Sequence, residues 1–153
     1  MLWRAIAVSV LFLSMKKLFS LSFIPVNADL GLLFLRVVFG GCMVFLHGWG
    51  KVTTFGSKFH SFPDPLGITH ELSYLLATGG EFVGASLVVL GCYTRFAALS
   101  VAITMGVAFF MVHNGVLVGA KSGESALIYG AAFLALVFAG GGKYSVDAKI
   151  GNP

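Results

Sequence analysis

Four apolar stretches, each close to the length of a membrane-spanning helix, constrain the fold of this chain more than any other feature of its sequence. They lie at residues 29–49, 72–92, 95–113 and 125–141. A bilayer core about 30 Å thick needs about 20 helical residues for each crossing. With 58% hydrophobic and 10% charged residues, the chain also carries more apolar surface than one soluble core could bury. The sequence therefore predicts an integral membrane protein surrounded by a lipid bilayer.

The connections between these stretches predict how they pack. Only Tyr93 and Thr94 separate the second stretch from the third, so these two helices must form an antiparallel hairpin. The expected fold is all-α, with an integral membrane four-helix bundle over residues 29–148. Residues 1–28 are an N-terminal extension expected to form an additional interfacial helix, and residues 149–153 are a short tail. Met15, followed by two lysines, is a second candidate for the natural start.

The loop after the first stretch is the longest, and it carries apolar residues at helical spacing. The pattern involves Val52, Phe55, Phe59 and Phe62, and it ends at Pro63-Asp64-Pro65, which cannot continue a helix. It predicts a short amphipathic helix at the membrane surface. This helix would act either as a lipid anchor or as a cover for the mouth of the bundle.

The basic residues predict the orientation of the bundle. Six of them fall on the side that holds both termini, namely Arg4, Lys16, Lys17, Arg95, Lys143 and Lys149. Three fall on the other side, namely Lys51, Lys58 and Lys121. Because Lys and Arg are enriched in cytoplasmic segments, we expect a multi-pass protein of a bacterial-type cytoplasmic (inner) membrane with both termini in the cytoplasm. The net charge of +4 is then a topology signal, and a nucleic-acid partner is not expected.

Two charged residues, Arg36 and Glu81, lie inside apolar stretches, where a charge is costly and usually functional. At about 1.5 Å per residue, the two side chains come within about 7 Å of each other along the bundle axis. We therefore expect a buried ion pair, direct or through a water. This pair either fixes the register of the helices or marks a proton relay or polar ligand site, and the second alternative predicts a water-accessible cavity beside Glu81.

A second group of polar residues lies at the outer ends of the stretches. It contains His47, His113, Asn114 and Glu124, which antiparallel packing places at a similar depth. Such side chains could hydrogen-bond the oxygens of a quinone head group, or they could be polar caps at the membrane surface. The spacing does not support a metal site, and no metal, haem or flavin motif is present in the sequence.

Four short motifs, in this order, resemble the DoxX family of membrane proteins. The first helix contains Leu35-Arg36 with Gly40 and ends in His47-Gly48-Trp49-Gly50-Lys51, and the second contains Gly80-Glu81-Phe82-Val83-Gly84. The hairpin contains Gly91-Cys92-Tyr93-Thr94-Arg95, and Gly142-Lys143-Tyr144-Ser145-Val146-Asp147 follows the fourth helix. The resemblance covers residues 30–148 and rests on the order and spacing of the motifs together.

The resemblance implies a four-helix membrane protein whose relatives include the membrane subunit of thiosulfate:quinone oxidoreductase and subunits associated with redox-stress complexes. The expected function is then a quinone-linked oxidoreductase subunit, in which Arg36 and Glu81 position the quinone or move its protons. A protein partner would supply the electron-donor site, and the quinone would carry the electrons. The alternative is a non-enzymatic membrane scaffold or assembly subunit, which would bind a partner or form a homo-oligomer without a quinone. A small-solute carrier is a third alternative.

Overall fold

A computed structural model describes residues 2–151, and it describes only the backbone for residues 2 and 4–10. The described chain is helical, as the sequence predicted. Helix α1 spans Leu2–Phe19, α2 spans Ala28–Thr53, α3 spans Phe55–Lys58, α4 spans His70–Leu90, α5 spans Thr94–Val112, α6 spans Glu124–Ala139 and α7 spans Val146–Lys149. Helices α2, α4 and α5 are long and apolar enough to cross a membrane, and α6, with 16 residues, is a shorter apolar helix.

Helices α2, α4, α5 and α6 pack together as a bundle. Helices α5 and α6 share the longest interface, and α2 packs along α4. Apolar side chains from all four helices meet between them and are fully buried, including Met43, Val88, Val101, Phe133 and Leu136. Helix α1 is present where the N-terminal extension was expected, and its apolar residues are distributed around the helix. Its placement at a membrane interface stays a prediction.

Large apolar side chains also cover the outside of the bundle. Phe45, Phe96 and Phe138, from three different helices, are all more than 70% exposed. An apolar surface of this extent is stable in contact with lipid and not with water. The chain is therefore a multi-pass membrane protein.

Local sequence signals explain where the helices begin and turn. Asn27 caps α2 by accepting a hydrogen bond from the backbone of Leu30, and Thr69 caps α4 in the same way. The hairpin between α4 and α5 turns through Gly91, whose φ of +71° is in the left-handed region that glycine adopts readily. This turn confirms the predicted antiparallel hairpin. We call this end of the bundle the hairpin end, and the end with residues 54–69 and 113–123 the loop end.

Two of the spanning helices contain wider, π-helical turns where they touch. These segments are Met43–Gly48 in α2 and Gly79–Gly84 in α4. A Cβ atom added to Gly48 would lie 2.7 Å from the backbone oxygen of Glu81, so glycine is required for this contact. Because π-helical turns recur at functional sites, the region around Glu81 is a candidate functional site.

Candidate functional site

The structure does not bring Arg36 and Glu81 together, so the predicted ion pair is wrong. The Arg36 guanidinium donates hydrogen bonds to the backbone oxygens of Val89, at 3.4 Å, and of Tyr144, at 3.0 Å. Glu81 forms an ion pair with Lys51 instead. The two buried charges thus belong to two separate clusters, one near the hairpin end and one nearer the loop end.

The error lies in the register of α2 against α4. Arg36 is level with Gly91, because a Cβ atom added to that glycine would collide with the guanidinium. Twelve residues further along α2, Gly48 is level with Glu81. The helical rise between Gly91 and Glu81 is about 15 Å, which separates the two charges by more than an arginine side chain can span. The N-terminal end of α2 therefore extends past the hairpin. The prediction had placed this end of α2 and the hairpin at the same depth.

The Arg36 cluster joins the C-terminal segment to the hairpin. Arg36 is fully buried, and Asp147 is close enough to interact with it electrostatically. The Asp147 carboxylate accepts hydrogen bonds from the backbone N–H groups of Tyr93 and Thr94, at 2.7 and 2.8 Å, and from the Thr94 hydroxyl at 2.6 Å. Burial raises the pKa of Asp147, but these hydrogen bonds and the charge of Arg36 hold it below its ordinary value. The contacts give Arg36 a structural role at the hairpin end.

Lys51 is the site residue that sequence reasoning missed. The sequence pattern predicts Lys51 to be one of the basic residues outside the membrane, on the side opposite the termini. In the structure it lies in the last turns of α2, and its ammonium group reaches Glu81. Two further contacts hold Lys51 in place. Its ammonium group lies 5.8 Å from the centre of the Phe62 ring, and its backbone oxygen accepts a hydrogen bond from the Tyr74 hydroxyl. One signal could have revealed it: Lys51 follows Gly48 by three residues and so shares its face of the helix.

A cavity of about 450 Å³ lies beside Glu81, between α4 and α5. Gly80, Glu81, Ser100 and Thr104 line its inner part. The loop between α3 and α4 lines the part of the cavity that is nearest the loop end of the bundle, through Phe62, Pro63, Pro65 and Leu66. Cavities of this volume hold small organic ligands in many proteins. The alternative in which Glu81 serves a ligand or a proton predicts a water-accessible cavity at this place, and access of water to the cavity stays a prediction.

Glycines next to Glu81 bring α4 and α5 close at the inner part of this cavity. A Cβ atom on Gly80 would lie 2.3 Å from the Thr104 hydroxyl, and one on Gly84 would lie 2.6 Å from the Ser100 hydroxyl. Both hydroxyl groups already donate within α5, to the backbone oxygens of Ser100 and Ala97 respectively. Their oxygen atoms therefore offer acceptors to the cavity, while their hydrogens are engaged.

The four polar residues predicted as a quinone site at the outer ends lie away from this cavity. The His47 ring packs edge-to-face against Tyr129, with 5.3 Å between ring centres, and His113 Nδ1 lies 3.1 Å from the backbone oxygen of Lys121. Asn114 takes a left-handed turn conformation, and Glu124 is exposed at the start of α6. None of the four lines the cavity beside Glu81. Across residues 2–151, no three His, Cys, Asp or Glu side chains gather as a metal site would require.

Comparison with known proteins places the chain in a family. The DoxX family model matches residues 31–114, which include most of α2, all of α4 and α5, the Lys51–Glu81 pair and every residue that lines the cavity. One similar protein, from Haemophilus influenzae and named "Uncharacterized protein", is 35% identical over 127 residues, covering 77% of this chain and 89% of its own length. A second of the same name and organism is 32% identical over 108 residues, covering 69% and 72%. No solved structure matches. The chain belongs to the DoxX family.

Proposed function

We propose that this protein is the membrane subunit of a quinone-dependent oxidoreductase and that it binds the quinone ring in the cavity beside Glu81. The observation that carries this proposal is a 450 Å³ cavity, lined mainly by apolar residues, whose wall contains Glu81, the acidic member of the ion pair with Lys51. A buried charge in a membrane bundle is costly, and a ligand or proton pathway is the usual reason for retaining it.

The residues at the inner part of the cavity fit the two forms of a quinone. An oxidised ring has carbonyl oxygens that need hydrogen-bond donors. The Lys51 ammonium is not part of the cavity lining, but it is bonded to Glu81, which is, and Glu81 accepts one of its three N–H groups. A reduced ring has hydroxyl groups that need acceptors, and the Glu81 carboxylate and the Ser100 and Thr104 oxygens supply them. When bound, the quinone supplies the electron-transfer chemistry.

Glu81 is the residue suited to accept a proton at this site. It is 7% exposed and lines the cavity, and its partner Lys51 has a side chain that is 20% exposed. Glu81 thus faces the cavity, and its partner Lys51 is the more exposed side chain of the pair and lies nearer the loop end. A carboxylate within reach of a reacting hydroxyl group is the arrangement that general base catalysis needs.

The proposal includes a position in the cell and a partner. Because Lys51 points into the bundle, Lys58 and Lys121 remain as the basic residues of the loop end, against six at the other end. This asymmetry favours a bacterial-type cytoplasmic membrane with both termini in the cytoplasm. A partner protein would supply the electron-donor site.

Mass spectrometry of the protein purified in mild detergent tests the proposal. We expect near-stoichiometric quinone in the wild type and its loss in Glu81→Gln. Glu124→Gln serves as the matched control, since Glu124 is an exposed acid outside the cavity, and it should retain the quinone. The absence of quinone from wild-type protein, together with a constant protein partner, would refute the proposal and favour the scaffold.

A further inference from the structure

The cavity beside Glu81 reaches the lipid-facing surface of the bundle between α4 and α5. Leu76 of α4 and Ile103 of α5 both line the cavity, yet they are 53% and 59% exposed. A side chain that lines a cavity and is also half exposed lies at the edge of an opening. Both residues belong to membrane-spanning helices, so this opening faces lipid.

The loop that lines the cavity near the loop end of the bundle is tied by hydrogen bonds. Asp64 accepts hydrogen bonds from the Ser73 hydroxyl, at 2.7 Å, and from the backbone of Ile68, at 3.1 Å. His70 Nδ1 lies 2.6 Å from the backbone oxygen of Phe62, whose ring packs edge-to-face on Tyr74. These contacts fix the loop beside the cavity, whereas the opening between Leu76 and Ile103 has no loop of the described chain, residues 2–151, across it.

From this arrangement we propose that the ligand of the cavity carries an apolar tail, which leaves sideways between Leu76 and Ile103 into the lipid. The inference rests on the proposed function and narrows the ligand to a membrane-dissolved quinone with an aliphatic chain. The rise from Leu76 to Glu81 is about 7.5 Å, which leaves room for one substituted ring between the opening and the ion pair. The polar ring then lies at Glu81 and the tail lies among lipid chains.

Binding of two benzoquinones with the same ring, one with a decyl tail and one without a tail, tests this inference in lipid nanodiscs. Leu76→Trp places a bulky ring in the opening, and Val83→Trp is the matched control, because Val83 lies on the same helix, is 54% exposed and does not line the cavity. We expect Leu76→Trp to weaken the tailed quinone about tenfold or more and to leave the tailless quinone within about twofold. A tenfold change is about 1.4 kcal/mol, less than the transfer of two methylene groups between water and an apolar surface.

The outcomes separate this inference from the proposed function. Equal weakening of both quinones by Leu76→Trp, or of neither, would overturn the sideways exit while leaving the quinone site in place. Failure of the wild type to bind either quinone would overturn both.

A second measurement uses only the wild-type protein, in case the tryptophan variants do not fold. A benzoquinone with a diazirine at the end of its tail is bound and photolysed. Labelled lipid, or labelled peptides around Leu76 and Ile103, supports the sideways exit. Labelling confined to the loop from Phe62 to Leu66 would overturn it.

Discussion

Replacing Lys51 with methionine should destabilise the protein, because the change leaves Glu81 inside the bundle without its counter-charge. The two side chains are 20% and 9% exposed, so the pair resembles a buried pair more than a surface pair. Removing one partner of a buried pair costs about 3–5 kcal/mol, whereas surface pairs contribute about 0–1 kcal/mol. We therefore expect Lys51→Met to lose about 3 kcal/mol at pH 7.

One further result should follow from the same reasoning. The double variant Lys51→Met/Glu81→Gln carries neither charge, so it should be more stable than Lys51→Met alone.

Reversible unfolding in mixed micelles of dodecyl maltoside and sodium dodecyl sulfate, followed by circular dichroism at pH 7, measures these differences. Lys58→Met is the control, because Lys58 is exposed in α3, and it should change the free energy of unfolding by less than about 0.5 kcal/mol. If Lys51→Met matched Lys58→Met at pH 7, the pair would contribute nothing to folding and the reasoning would be refuted.

Three other predictions concern the contacts that fix the helices. Gly48→Ala should lose about 1–3 kcal/mol in thermal unfolding, because the new methyl group would collide with the backbone of α4, whereas Gly41→Ala, with open space around it, should be neutral or stabilising. Arg36→Met should make the segment after α6 sensitive to limited proteolysis, because it removes the hydrogen bonds that hold this segment; the wild-type segment should resist. Because the pKa of Asp147 is lowered by hydrogen bonds from Thr94 and the hairpin backbone, its stabilising contribution should be complete above about pH 4 and should be lost as the pH falls through its lower folded-state pKa. Asp147→Asn should remove this acid dependence, which unfolding experiments between about pH 2 and 5 measure.

The sequence predicts the spans and the hairpin well because both follow from local rules. Apolar length fixes a crossing, and a two-residue connection leaves α4 and α5 no other arrangement than antiparallel. The partner of Glu81 depends on a non-local quantity, the axial offset of α2 against α4. That offset is fixed by close contacts such as Gly48 against the α4 backbone and by the π-helical turns, and neither can be read from apolar periodicity. The actual axial gap exceeds the expected one by about 8 Å, or about one and a half helical turns, and this was enough to assign the wrong cation.

The contact between Arg36 and the C-terminal segment has a consequence for biosynthesis. Arg36 and Tyr144 are 108 residues apart in the chain, a length that takes roughly 5–20 s to translate. During that time α2 resides in the membrane with a guanidinium group whose acceptor and counter-charge do not yet exist. The bundle therefore reaches its final form only after the last helix has been inserted and the C-terminal segment is complete. Chains interrupted before Asp147 would retain an intramembrane guanidinium group without its counter-charge.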